Sequence, residues 1–311
     1  QDEVRLTPAW TVIPGLRWES QRTRGEPDAI WAADNPGAII ARTGDSALSP
    51  KFGLRWSGAD WSSYLQLTRG FRAPPFSDVN IGLNLPAFNY VALPNPDLES
   101  ERSSGLEWGI RYGGAGFQLQ WAFYDNRYSN LIESRANLGI NASGQLVFQS
   151  VNRDRARIYG TEFDAVLGLD ALSDGAAAWR LTAAGSWAHG DDTERDLPLN
   201  SVMPAKAVLG LEYAPYNGRW GGELLFTGVA AVKRIDRSSA DLFAPPGYSV
   251  LDAHLWFAIR PELRLNLSFS NLGNRRYWQW SGMRGVLNGA ADLDFYSEAG
   301  SNFALSLIGD W

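Results

Sequence analysis

The 311 residues are enough for one large β domain or two ordinary ones, and 45% hydrophobic against 20% charged residues excludes a chain disordered by composition. The lack of cysteine excludes disulfide frameworks, zinc–thiolate sites, iron–sulfur clusters and a cysteine nucleophile, and 28 Lys and Arg against 34 Asp and Glu give a net charge of −6, which speaks against a nucleic-acid partner. Gln1-Asp2-Glu3 opens no signal-peptide pattern and no run of about 18 apolar residues could cross a membrane as a helix, but 14 Trp, 14 Phe and 11 Tyr leave a membrane β-barrel open.

Apolar residues mostly alternate with polar ones, the period of a strand with two unlike faces. In chain order the pattern predicts strands at 1–6, 10–22, 47–57, 60–69, 101–112, 116–132, 154–169, 176–188, 203–214, 219–234, 248–259, 262–272 and 303–311. The clearest is Leu263, Leu265, Leu267 and Phe269 against Arg264, Asn266, Ser268 and Ser270. Nothing reads as a convincing amphipathic helix, so the fold class is all-β. Short connections such as Gly58-Ala59 and Gly113-Gly114-Ala115 alternate with long ones at 23–46, 70–100, 133–153, 189–202, 235–247 and 273–302. A soluble propeller or sandwich has no reason to place every long loop at one end. An antiparallel transmembrane β-barrel does, with short periplasmic turns and long outer loops.

On that reading Glu107, Arg111, Gln118, Gln120, Asp252, His254, Arg264 and Asn266 face the lumen, and the apolar parity faces lipid. Asp252 and His254, two residues apart, are expected to form a hydrogen-bonded lining pair; no nucleophile motif accompanies them, so no enzyme is expected. Tyr277, Trp278 and Trp280 are expected in the outer aromatic girdle, with a ligand platform as the alternative. Gly113-Gly114-Ala115-Gly116 is a hairpin turn rather than a phosphate loop, because no helix follows it.

Several strings carry a resemblance. Leu67-Thr68-Arg69-Gly70-Phe71-Arg72-Ala73-Pro74, followed by Asn95-Pro96-Asp97-Leu98, resembles the corresponding region of TonB-dependent haem and haemoglobin receptors. Asn126 to Ser134, Ala156 to Phe163 and Asn271-Leu272-Gly273-Asn274-Arg275-Arg276-Tyr277-Trp278 resemble the same family in the same order. Trp280-Ser281-Gly282-Met283-Arg284-Gly285 is similar to its haem-receptor branch, Gln1-Asp2-Glu3 with Pro14-Gly15-Leu16-Arg17-Trp18 to a mid-barrel hairpin, and Phe303 to Trp311 to an outer-membrane assembly signal.

The resemblance implies an outer-membrane receptor of a Gram-negative bacterium, embedded among lipid and lipopolysaccharide and driven by the TonB complex. Its cargo would be haem, taken from haemoglobin or another haemoprotein, with no intrinsic cofactor. A siderophore receptor or a passive porin-like barrel are the alternatives. The family's barrel has 22 strands around an N-terminal plug; this chain, with roughly 12–13 strands, is expected to be its C-terminal part without the plug and first strands. A complete small barrel of about twelve strands, with 1–6 as a tail, stays open.

Receptors of this kind place an iron-binding histidine between the two motifs, but residues 75–94 contain none. Tyr90 is the candidate replacement, since a tyrosinate can ligate haem iron, with Phe88 to stack on the porphyrin; an ordinary loop aromatic is the other reading. His189, opening the loop His189-Gly190-Asp191-Asp192, is a candidate ligand or a solvated turn residue. Arg72 could meet a propionate or a neighbouring carboxylate. Arg275 and Arg284 complete the expected loop surface of cations and aromatics, and no metal site is expected.

Overall fold

The computed structural model describes residues 2–26, 29, 40–80, 82–169, 178–215 and 218–309. The alternating segments form sixteen strands: β1 (Val4–Arg5), β2 (Trp10–Thr23), β3 (Thr43–Ser57), β4 (Trp61–Arg72), β5 (Leu83–Leu85), β6 (Tyr90–Leu93), β7 (Glu101–Gly114), β8 (Phe117–Ile140), β9 (Leu146–Gly168), β10 (Trp179–Asp192), β11 (Leu197–Pro198), β12 (Lys206–Tyr213), β13 (Trp220–Val229), β14 (Tyr248–Arg260), β15 (Leu263–Ser270) and β16 (Asn302–Gly309). Thirteen of them make one antiparallel ladder in chain order, and β5, β6 and β11 lie off that path. The only parallel pairing among the described residues joins β6 to β9. Among these residues nothing pairs with the outer edges of β1 and β16, so the sheet is an open wall of a transmembrane barrel.

The thirteen ladder strands match the thirteen expected from alternation. The connections differ. The expected loop 133–153 is mostly strand: β8 and β9 run on beyond their neighbours and turn only at Asn141–Gln145. The 70–100 connection carries a helical turn, Phe76–Asn80, and the β5–β6 hairpin. His189 lies within β10 rather than in a loop. The expected strand 176–188 begins at Trp179, and residues 170–177 lie outside the described part.

Register gives each face its chemistry. On one face Leu65 pairs with Trp108 and Trp108 with Phe123, while Leu255, Leu267 and Leu305 form a row across β14, β15 and β16. Leu65, Trp108, Leu255 and Leu305 are exposed and Phe123 and Leu267 half-buried, as befits a face turned to lipid. At the short-turn end Trp61, Tyr112 and Phe117 touch in sequence, and so do Trp179, Tyr213 and Trp220, giving the lower aromatic girdle. The other face is polar. Tyr64 donates to Glu107 at 2.7 Å, Arg111 lies over the Tyr64 ring, and Arg180 bonds Glu212 at 3.1 Å.

The expected Asp252–His254 pair does not form. His254 Nδ1 meets Ser268 Oγ at 3.1 Å, and Asp252 Oδ1 accepts the Asn271 backbone N–H at 2.7 Å. Residues two apart share a face, but their spacing along the strand favours partners on the neighbouring strand. Trp278 and Trp280 are not girdle residues either. Trp280 is 2% exposed, packed with Ile235, Leu242 and Met283 among the long loops. A second small core joins Val79, Leu98 and Ile132 on the same side.

The face assignment predicts a sharp contrast between neighbouring residues midway along β4. In the intact receptor Leu65→Arg should destabilise the folded barrel by about 2–4 kcal/mol, whereas Gln66→Arg, opposite Glu107, should be close to neutral. Urea titration in lipid vesicles, read by tryptophan fluorescence, measures both.

Candidate functional site

The β8–β9 hairpin is the post on which the long-loop side is assembled. Arg153 on β9 donates through Nε to Glu133 on β8 at 2.6 Å, and its Nη2 lies 4.0 Å from Asp236 in the β13–β14 connection. All three side chains are nearly buried, so removing one partner would strand the others at a cost of about 3–5 kcal/mol. Higher on the hairpin, Asn137 donates to the Gly285 carbonyl at 3.1 Å, and the Ser239 hydroxyl donates to the Asn137 carbonyl at 2.8 Å. Two separate connections, β13–β14 and β15–β16, therefore close onto one ribbon.

The second tie runs through Asn200. Its side chain donates to the Asp236 carbonyl at 3.1 Å and accepts from the Asp236 N–H at 2.8 Å, while its own carbonyl accepts Trp280 Nε1–H at 3.0 Å. Trp278 Nε1–H similarly reaches the Leu293 carbonyl at 2.9 Å. Both indoles thus bury their rings in the loop core and satisfy their single donor. At the base of the last loop Asn271 adopts φ 52° and is 3% exposed. Its amide donates to the carbonyls of Arg275 and Ala299, and its oxygen accepts the Arg275 N–H, so one side chain clamps both ends of the connection. Tyr277 stacks on Tyr248 at 4.2 Å; burial, and then the Glu298 carboxylate, raise its hydroxyl above the usual phenol range.

Against this frame the six candidates separate. Tyr90, at the start of β6, stacks on Phe148 of β9 at 5.1 Å and 25°. Phe148 in turn packs on Gly285, where a Cβ would lie 2.7 Å from the Phe148 ring and φ is +89°. That contact connects Tyr90 to Arg284, which is exposed beside Gly285. Phe88, in the turn Pro86–Phe88 just before Tyr90, is 77% exposed. Phe148 thus lies between Tyr90, two residues after Phe88, and Gly285, the chain neighbour of Arg284. Arg72 lies at the end of β4, 3.7 Å from Glu101, the neighbouring-carboxylate alternative. Arg275 is exposed at the clamped loop base. His189 is bound into a cluster of its own: its Nε2 lies 2.9 Å from Asp191 Oδ2 and 2.8 Å from Arg234 Nη1, with Arg234 also paired to Asp191.

Sequence reasoning missed Phe148, which sat inside an expected loop, and Phe295, which is 91% exposed in the turn Leu293–Tyr296. The signal for Phe148 was there: Leu146, Phe148 and Ser150 continue the β9 period. Nothing in the string Asp292-Leu293-Asp294-Phe295-Tyr296 marks which aromatic points outward. Among the described residues no group of three or more His, Asp or Glu could hold a metal ion.

The family model described as "TonB dependent receptor-like, beta-barrel" matches residues 1–272. The probable hemoglobin and hemoglobin-haptoglobin-binding protein 4 of Haemophilus influenzae is 25% identical, over 78% of this chain and 27% of its own length. The chain thus spans well under half of that relative. Among solved structures, the copper transporter OprC superposes with a TM-score of 0.77 at 20% identity, over 99% of this chain and 46% of OprC. The ferric enterobactin receptor of Pseudomonas aeruginosa gives 0.68 at 18%, over 99% and 43%. These two likenesses concern the fold.

The loop core predicts a local rather than global defect. Trp280→Ala removes a fully packed indole and should cost the loop assembly about 3–5 kcal/mol. Hydrogen exchange should accelerate in residues 232–244 and 278–293 while β12 to β15 keep wild-type protection.

Proposed function

Because the chain belongs to the TonB-dependent receptor β-barrel family, we propose that it forms the C-terminal part of an outer-membrane receptor that imports haem taken from haemoglobin or another haemoprotein. The family is one of transport receptors, not enzymes. The observation that carries the ligand is the similarity to the hemoglobin-binding protein of Haemophilus influenzae across most of the chain. The surface around Phe148 supports it. An exposed ring at Phe88, a stacked phenol at Tyr90 and an exposed guanidinium at Arg284 offer π contact and charge to a flat dianionic macrocycle. Phe295, projecting from the last loop, adds an apolar contact for a protein partner.

The open edges support the rest of the reading. Unpaired strand edges in lipid cost several kcal/mol per polar group, so β1 and β16 call for further strands of the same receptor. In the family's architecture those strands complete a 22-stranded barrel around the plug that engages the TonB complex. The setting is the outer membrane of a Gram-negative bacterium, where the lumen-facing polar parity lines the plug.

Expression of the intact receptor in a haem-auxotrophic host should allow growth on haemoglobin as sole iron source, and only with TonB present. Replacing Phe88, Tyr90 and Arg284 together by Ala should weaken haemoglobin binding roughly tenfold or more, with the assembled amount unchanged. Wild-type growth of that variant would remove the proposed surface. In an iron-starved host that makes its own haem, growth on a ferric siderophore but not on haemoglobin would replace the cargo and leave the family standing.

A further inference from the structure

A row of arginines lies where no transported ligand can use it. On the lipid-facing parity of β4, β7, β8 and β9, just above the apolar band, register lines up Arg69, Ser104, Arg127 and Arg157 as one row across four adjacent strands. The next row outward is Phe71, Arg102, Ser129 and Arg155. The row Leu65, Trp108, Phe123 and Thr161 lies below on the same face. From Phe117 in the lower girdle to Arg127 is ten residues along β8. At about 3.3 Å per residue and a tilt of about 40°, that rise is roughly 25 Å, the height of the apolar band. The arginines therefore sit at the level of the headgroups of the outer leaflet.

The charge is only partly neutralised in place, with three carboxylates beside five arginines. Arg157 forms a two-pronged pair with Asp125, whose carboxyl is also the nearest acid to Arg127, at 3.9 Å. Arg155 lies 3.7 Å from Glu194 and Arg102 3.8 Å from Asp45, both loose contacts between well-exposed side chains. Arg127 and Arg155 keep 72% of their side-chain surface exposed. Arg127 also stands directly opposite Arg157, a like-charged cross-strand pair that is unfavourable without an anion. A shallow pocket of about 560 Å³ is lined by all five arginines together with Ser104 and Ser129.

We propose that this pocket binds the headgroup of a membrane lipid carrying two phosphates. Guanidinium groups in a fixed array bind phosphate oxygens in pairs, and neighbouring serine hydroxyls donate further bonds. Four adjacent strands span about 14 Å, too wide for one phosphate and suited to two on one headgroup. The exposed Leu67, Leu106 and Trp108 directly below give the acyl chains a surface, which a free anion would not need. The site holds the receptor at a fixed depth and is independent of the cargo.

Native mass spectrometry of the intact receptor in detergent tests this with three added lipids: a synthetic bisphosphorylated glycolipid, its monophosphorylated form and a phosphocholine lipid. The wild type should retain the bisphosphorylated lipid preferentially. Arg69→Gln, Arg127→Gln and Arg155→Gln together should lower that retention roughly tenfold or more, whereas the lumen-facing Arg111→Gln should not. Heat-modifiable gel migration checks assembly, and the single Arg127→Gln, with a loss of a few-fold, serves if the triple variant fails to assemble. Equal retention by wild type and variants, or no preference among the three lipids in the wild type, overturns the proposal. Complete displacement by millimolar inorganic phosphate also overturns it, in favour of a simple anion site.

Discussion

Everything in this molecule depends on pairing backbone groups in a medium that offers no water. Inside a bilayer each unpaired N–H or C=O costs several kcal/mol, and a helix or a continuous ladder are the two available solutions. No helix among the described residues is long and apolar enough to cross. The ladder supplies the answer: thirteen strands, each bonded to its neighbours in chain order. Once the ladder is fixed, the side chains have no freedom of side. Period two sends Leu65 and Leu67 to lipid and Gln66 and Thr68 to the lumen, and a slip of one residue would reverse them all.

The same constraint explains where the apolar core lies. A barrel wall has no interior of its own to bury large side chains, and its apolar groups face lipid instead. Burial is concentrated where chain leaves the membrane and meets water again, as at Val79, Leu98, Ile132, Leu242, Trp280 and Met283. The long loops behave as a small soluble assembly, held by their own cores and by nearly buried polar ties such as Arg153–Glu133 and Asn200–Asp236. Prolonging β8 and β9 past the membrane gives that assembly a rigid ribbon to close on. Gly285, with φ +89° and Phe148 where a Cβ would stand, marks the tightest closure between ribbon and loop.

How much was legible in the sequence follows from these two regimes. In the wall, lipid and lumen impose opposite chemistry on alternate residues, so strands and their order could be read from runs such as Leu263 to Ser270. Beyond the membrane that filter is gone. Leu131 to Ile140 keep strand geometry through hydrogen bonds to β9 while their side chains no longer alternate cleanly, so the extension reads as loop. Aromatic composition misled for a related reason. Trp278 and Trp280 have the chemistry of a girdle, but it is their position in a connection folded over Ile235 and Leu242 that buries them. The partners of His189 and Asp252 are set partly across strands and loops, by Arg234 and Asn271, at sequence separations no local pattern reveals. Tyr90 and Arg284, 194 positions apart, are connected through the same kind of contact, by way of Phe148 and Gly285.

The central claim is the two-sidedness of the wall, and β8 allows it to be read residue by residue. With no cysteine in this chain, single cysteines can be placed from Phe117 to Arg127 in the intact receptor and labelled with a nitroxide. Collision with lipid-soluble oxygen should peak at Leu119, Trp121 and Phe123, and collision with a water-soluble nickel complex should not. Gln118, Gln120 and Tyr124 should instead show low oxygen accessibility, with nickel access rising toward Arg127. A flat profile, or oxygen maxima on the even residues, would contradict the account.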